Sequence, residues 1–160
     1  MDKQFMVAQL AARIRDTLQV ALREQEAAAL EARDGATPSE KRDDARTALE
    51  FSNLARAQGK RALAAREELA RIERFRPGSS GDSVRLGDIV EIEDGAVGRT
   101  IFLAPVGAGI ELTMPEGDGF VTVVTPASPL GKALIGRELG DVVEISLQGK
   151  ERDWTVTFIG

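Results

Sequence analysis

Glu31-Ala32-Arg33-Asp34-Gly35-Ala36-Thr37-Pro38-Ser39-Glu40 reads as the break between two long helices. Asp34-Gly35 supplies a left-handed C-cap, a conformation glycine adopts without a Cβ penalty. Thr37 can cap the helix that follows, Pro38 suits its first position, and Glu40 completes a capping box with Thr37. A turn of about three residues between long helices sends the chain back along itself. The flanking segments are therefore expected to form an antiparallel α-helical hairpin.

Working outward from the turn, both flanks repeat every seven residues. Val7, Ile14, Ala21 and Ala28 form one column of the first segment, and Ala11, Leu18, Gln25 and Ala32 the other. In the second segment the columns are Ala48, Ala55, Ala62 and Leu69, and Phe51, Gln58, Ala65 and Ile72. Steps of three and four sustained in this way mark a coiled coil, whose seam repeats every 3.5 residues. The many alanines predict close approach of the helices. A turn centred on Ala36 sets Leu18 opposite Ala55, Ala11 opposite Ala62 and Ile14 near Gln58. The rods are expected to run roughly 30 and 38 residues, so the shorter spans about 45 Å. The longer second helix overshoots the first, which leaves Ile72 and Phe75 to seat the hairpin on whatever follows. The same periodicity also suits a self-associating structural coiled coil; the short turn favours a monomer.

The grammar changes near Pro77. Residues 1–76 are rich in Ala, Leu, Glu and Arg, whereas 83–160 are rich in Val, Ile, Thr and Gly, with a Pro/Gly/Ser linker over 77–82. Strands are expected at 88–93, 99–104, 109–113, 120–125, 142–147 and 154–159, the alternation being clearest in Phe120-Val121-Thr122-Val123-Val124. One short helix interrupts them: Ser128 caps it, Pro129 opens it, and Gly136 ends it. The expected class is α+β, an N-terminal antiparallel coiled-coil hairpin (1–76, tip near 34–44) followed by an antiparallel sheet with one short helix (83–160).

Composition narrows the chemistry. The chain has 160 residues, of which 42% are hydrophobic and 29% charged, a globular balance. There is no cysteine and no histidine. Disulfides and thiolate metal ligands are thereby excluded, and so are imidazole bases and imidazole ligands. Chemistry is left to carboxylates, Lys, Arg, Ser and Thr. The net charge of −5 argues against direct reading of a nucleic-acid backbone. The absence of cysteine makes a cytoplasmic protein the expectation, and no membrane span and no export signal are read in the sequence. Ser128 has no histidine to activate it as a nucleophile. Gly107-Ala108-Gly109 and Gly117-Asp118-Gly119 lead into no helix and are read as hairpin turns, not phosphate loops. Trp154 is expected in the core.

The block Val124-Thr125-Pro126-Ala127-Ser128-Pro129-Leu130-Gly131-Lys132-Ala133-Leu134-Ile135-Gly136-Arg137-Glu138-Leu139-Gly140-Asp141-Val142-Val143-Glu144-Ile145 resembles the C-terminal signature of the Gre family of bacterial transcription elongation factors (GreA/GreB type). In that signature a strand leads into Ser-Pro, a short helix ending Leu-Ile-Gly-Lys/Arg, then Gly-Asp and another strand. The order of coiled coil and sheet domain matches the family as well, by architecture more than by residues.

The resemblance implies an FKBP-like C-terminal domain that docks on RNA polymerase core at the rim of its secondary channel, through Ser128, Pro129, Lys132 and Arg137. It implies a coiled coil passing down the channel, whose tip acids Asp34, Glu40 and Asp43 assist cleavage of backtracked RNA. Glu40 and Asp43 would ligate metal only in complex with the polymerase. The chain would have no cofactor of its own, sharing the polymerase's Mg²⁺, would meet RNA only through the polymerase, and would not be an enzyme by itself. The family tip reads Glu-Ala-Arg, a turn, then Asp-x-x-Glu. Aligned without a gap from Glu31-Ala32-Arg33, the family Glu falls on Glu40 but the family Asp falls on Thr37. A slip of one turn places the spacing on Glu40-Lys41-Arg42-Asp43 with the acid types exchanged. Helix capping accounts equally for Thr37 and Glu40, and the first-turn preference for negative charge for Asp43 and Asp44. A non-cleaving paralogue that occupies the channel and inhibits or modulates transcription is the alternative. A prolyl isomerase ranks below both, because the fold is its only support and the sheet half offers few aromatics for a pocket.

Overall fold

The computed structural model describes residues 2–34, 41–115, 117, 119–147 and 149–160, with Asp34, residues 41–44 and Leu147 described by their backbone alone. The caps expected at Gly35, Thr37 and Glu40 lie outside the described residues. Two helices come first, α1 (Lys3–Asp34, 32 residues) and α2 (Lys41–Arg74, 34 residues). Six strands and one helix follow: β1 (Ile89–Glu93), β2 (Gly98–Leu103), β3 (Glu111–Thr113), β4 (Phe120–Val124), α3 (Pro129–Leu134), β5 (Val142–Leu147) and β6 (Lys150–Ile159). Asp2 starts α1: its Oδ1 accepts hydrogen bonds from the backbone N–H groups of Gln4 (3.0 Å) and Phe5 (3.1 Å), which would otherwise be orphaned at the helix end.

The strands form one sheet in the order β3-β4-β2-β1-β6-β5. The sheet was expected to be antiparallel, and it is so in every pairing but one. β2 and β4 run parallel, with Thr100 opposite Val121 and Leu103 opposite Val124. The β3–β4 hairpin folds in so that β4, not β3, lies beside β2. Gly107-Ala108-Gly109 therefore is not a hairpin turn, because β2 and β3 are not neighbours. β6 starts four residues earlier than the alternation suggested, because Glu151, Arg152 and Asp153 pair with Ser146, Ile145 and Glu144 of β5. Ladder hydrogen bonds are made by the backbone and do not require apolar side chains.

The chain divides into two compact units, one of Met1–Ala11 with Ala70–Gly160, the other of Ala12–Leu69. In the first, one sheet face and α3 enclose a core that includes Val90, Ile92, Ile101, Leu103, Leu134, Ile145, Trp154 and Val156. Trp154 is buried there, as expected, with Arg99 Cζ 5.7 Å above its ring. Strand pleating turns Ile89 and Phe102, paired and fully buried, to the opposite face. Met6 and Leu10 of α1 and Ile72 of α2 are fully buried within this same unit.

Polar contacts reinforce this base. Lys3 Nζ lies 2.8 Å from the buried Asp88 carboxylate and donates to the Gly78 carbonyl at 3.1 Å. Gln9 places its amide against β3 like a strand peptide, accepting from Thr113 N at 2.7 Å and donating to Thr113 O at 3.2 Å. Gly107 has a left-handed φ of 83°, and a Cβ there would come within 2.7 Å of Leu10 Cδ1. Glycine is needed at that position twice over, for its backbone conformation and for the approach of α1.

The second unit is the coiled-coil part of the hairpin. Because Met1–Ala11 shares a unit with Ala70 onward, the helices run antiparallel. Ile14, Ala21, Ala28, Ala62 and Ala65 are buried, while Leu18, Gln25, Ala32, Ala48, Phe51, Ala55, Gln58 and Leu69 are half-buried. Both heptad columns thus face the seam. Their pairing differs from expectation. Gln25 Nε2 lies over Gly59, 2.8 Å from where a Cβ would stand, whereas a turn centred on Ala36 would put Gln25 opposite residue 47 or 48. The offset is roughly three helical turns. It is also close to three intervals of 3.5 residues, the one kind of slip that leaves the same columns facing each other.

Candidate functional site

Two regions carry the residues singled out from the sequence. The first is α3 with its flanks. Ser128 sits in extended conformation (φ −71°, ψ 153°) ahead of Pro129. Its Oγ accepts from Gly131 N at 3.1 Å and donates to Thr125 O at 2.7 Å. Both hydrogen-bonding capacities of the hydroxyl serve the cap. Gly131 is enforced by close approach, since a Cβ there would stand 2.0 Å from Thr125 O. The helix ends at Ile135, whose N–H bonds the Gly131 carbonyl, and Gly136 N then reaches Val84 O at 2.8 Å. Arg137 folds back so that its Nε donates to Ala133 O at 3.2 Å, satisfying a carbonyl at the helix C-terminus. Asp141 Oδ2 accepts from Glu138 N at 2.9 Å and closes the next turn.

Much of the block is therefore fixed by the backbone geometry of a tight corner. Among the expected docking residues, Pro129, Lys132 and Arg137 are exposed and Ser128 is half-buried, and all four lie on α3 or immediately beside it. Beside Ser128 and Pro129 opens a mostly apolar groove of about 230 Å³, walled by Gly109, Val124, Leu130 and Ile145 among others. The sequence reading missed it. Its walls come from four separate stretches of chain, and no local pattern announces such a convergence. Beyond the helix end, Ile135, Leu139 and Val142 are 40%, 65% and 57% exposed, an apolar fringe not singled out from the sequence.

The second region is the far end of the hairpin. Asp34 is the last residue of α1, and Asp43 lies in the first turn of α2. Glu40 lies outside the described residues. With Gln25 over Gly59, moving nine residues along α1 and nine back along α2 sets Asp34 level with Glu50. α2 begins at Lys41, so its first turns reach past the end of α1 by roughly 13 Å at 1.5 Å per residue. Nearer the middle, Ala27, Ala28, Phe51, Leu54 and Gln58 line a second groove of about 400 Å³, flanked by Glu24 and Glu31.

Among the described residues, one carboxylate of the sheet unit is held in its charged form by its neighbours. Asp94 accepts from Arg152 and from the backbone N–H groups of Val97 (2.9 Å) and Ala96 (3.0 Å). The Arg152 hydrogen bond first, then those two N–H groups, lower its pKa to about 2. The arrangement pins the β1–β2 turn and belongs to the scaffold.

The profile of the family described as transcription elongation factor, GreA/GreB, C-terminal, matches residues 79–160. The chain is 35% identical over 80 residues to the transcription elongation factor GreA of Rhodospirillum rubrum, covering 50% of this chain and 47% of that protein. It is 31% identical over 80 residues to the transcription inhibitor protein Gfh1 of Thermus aquaticus, covering 50% and 48%. These matches span about half the length of the curated relatives. The crystal structure of GreA factor homolog 1 of Thermus thermophilus aligns over 97% of this chain and 92% of its own, at 22% identity and a TM-score of 0.39. No helix among the described residues is long and apolar enough to cross a membrane.

Proposed function

This chain belongs to the GreA/GreB family of transcription elongation factors, and on that footing we propose that it binds RNA polymerase core at the secondary channel and stimulates cleavage of backtracked RNA. The observation that carries the reading is the alanine-rich antiparallel hairpin, a slender rod whose far end is flanked by Asp34 and Asp43. A rod of this kind fits a channel that a globular domain cannot enter. The sheet unit supplies the anchor through Ser128, Pro129, Lys132 and Arg137.

The chain does not catalyse by itself. Metal-assisted phosphodiester hydrolysis needs a second cation and an oriented water, and the Mg²⁺ is the polymerase's. Glu40 and Asp43 contribute hard oxygen ligands of the kind Mg²⁺ prefers, and Asp34 adds negative charge. The factor's share is ligands and positioning. RNA is met only inside the polymerase.

The test uses stalled elongation complexes carrying end-labelled RNA. The parent chain is expected to shorten the RNA, and Glu40→Ala with Asp43→Ala to stop the shortening while leaving polymerase binding largely intact. A second reading, occupation of the channel without cleavage, is favoured by the setback of Asp34 behind the first turns of α2 and by Thr37 at the family's Asp position. Slowed nucleotide addition without shortening would select it.

A further inference from the structure

The two helices leave a gap in the middle of the hairpin. On α1, Glu24, Ala27, Ala28 and Glu31 recur at steps of three and four and so share one side of the helix. On α2, Phe51, Leu54 and Gln58 do the same. Between these two ridges runs the open groove of about 400 Å³. Neither alanine side chain extends past Cβ, so α1 does not fill it. The α2 wall is apolar, with Phe51 half-buried and Leu54 46% exposed. The α1 wall carries Glu24 and Glu31, both exposed, and among the described residues neither has a cationic partner. Seven residues of helix separate these carboxylates along the groove, roughly 10 Å at the helical rise. Gln58 Oε1 is buried without a hydrogen-bond partner, a costly state for an acceptor.

We infer that this groove is a docking site for a basic amphipathic helix of a partner protein. Its open form, bounded by ridges at steps of three and four, is the shape into which the ridge of a third helix packs. An apolar stripe on that helix covers Phe51 and Leu54. Lysine or arginine residues seven positions apart at the edge of the stripe meet Glu24 and Glu31, in either chain direction, because the two spacings are equal. The charge selects the occupant: an acidic helix of the same apolar pattern is repelled by both carboxylates. Gln58 offers its acceptor to a donor entering the groove once the terminal amide turns outward. A second copy of this chain is a poorer occupant, since two chains of net charge −5 repel each other. The groove lies wholly within the coiled-coil unit and does not rest on the transcription-factor reading.

The probe is a fluorescein-labelled, alanine-based peptide of roughly 18 residues, long enough to be helical alone. It carries leucines at i, i+3, i+4 and i+7 and two lysines seven positions apart at the edge of that stripe. Titration with the full chain, read by fluorescence anisotropy, is expected to show saturable binding. Glu24→Gln with Glu31→Gln is expected to weaken it about fivefold, the size of two exposed ion pairs, and Leu54→Asp about tenfold. Glu144→Gln with Glu151→Gln removes the same charge from the sheet unit and is expected to leave the affinity unchanged. A peptide with both lysines replaced by glutamate is expected to bind roughly tenfold more weakly. Absence of saturable binding overturns the inference, as does equal binding of the glutamate peptide or of a scrambled peptide of the same composition. Equal loss from the sheet-unit variant overturns it too, and so does sedimentation of the chain alone as a dimer that Leu54→Asp dissolves. The peptide comparison uses the unaltered chain, so it decides even where a variant loses helicity. No arm involves polymerase, so failure here and failure of the cleavage reading are told apart.

Discussion

At Gly131 the chain leaves no room for even a methyl group, because the carbonyl of Thr125 occupies that space at 2.0 Å. The same carbonyl accepts the Ser128 hydroxyl and the Ser128 N–H, so it cannot yield without breaking the cap. Gly131→Ala is expected to destabilise the sheet unit by about 2–3 kcal/mol, the usual cost of overpacking against rigid neighbours, read as a lower urea midpoint. Asp94 gives a second expectation. Its pKa is lower in the fold, about 2, than in an unfolded chain, so the unfolded state takes up a proton first. The stabilisation is fully present above the unfolded pKa near 4 and is lost as pH falls through about 2. Asp94→Asn is expected to remove that portion of the acid sensitivity between pH 4 and 2, measured by thermal unfolding at stepped pH.

At the scale of elements, the start of α1 and the end of α2 belong with the sheet unit, and the rest of both helices with the coiled coil. Heptad columns continue through both environments, which is why periodicity gives no sign of the change. The contacts at the base do. Lys3 and Asp88 are both largely buried, and Asp88 also accepts from Arg85 N at 2.8 Å. Lys3→Met leaves that carboxylate buried without its cation and is expected to cost about 3 kcal/mol. Lys3→Met with Asp88→Asn is expected to recover much of the loss, which a double-mutant cycle in urea measures. Gly59 behaves differently from Gly131. The group a Cβ would meet there is the far end of the Gln25 side chain, which can swing aside. Gly59→Ala is expected to raise the melting temperature through the helix-propensity gain of about 1 kcal/mol.

For the whole molecule, the proposed work divides between the two regions. Lys132 and Arg137 are exposed on and beside α3, and reversing both charges is expected to weaken binding to core polymerase roughly tenfold, about 1.4 kcal/mol. Loss of tip acids is expected to spare that affinity. Titration of polymerase with both sets of variants separates anchoring from action. The outcome that would sink the division is equal loss of affinity from both sets.

Residue by residue, the two helices, the short α3 with its Ser128 cap, and the positions of the strands were legible in the sequence, because caps, heptads and alternation are local properties. The family was legible too, because a tight corner such as 124–145 admits few residues at Ser128, Gly131 and Gly136. Three things were settled only by the tertiary structure: the parallel β2–β4 pairing, the docking of Lys3, Gln9 and Leu10 against the sheet unit, and the alignment of Gln25 with Gly59. Periodicity fixes which face of a helix or strand is buried. It is silent on register and on which distant segment does the burying, because a slip by a whole number of seam intervals, or a swap of neighbouring strands, leaves the local pattern unchanged.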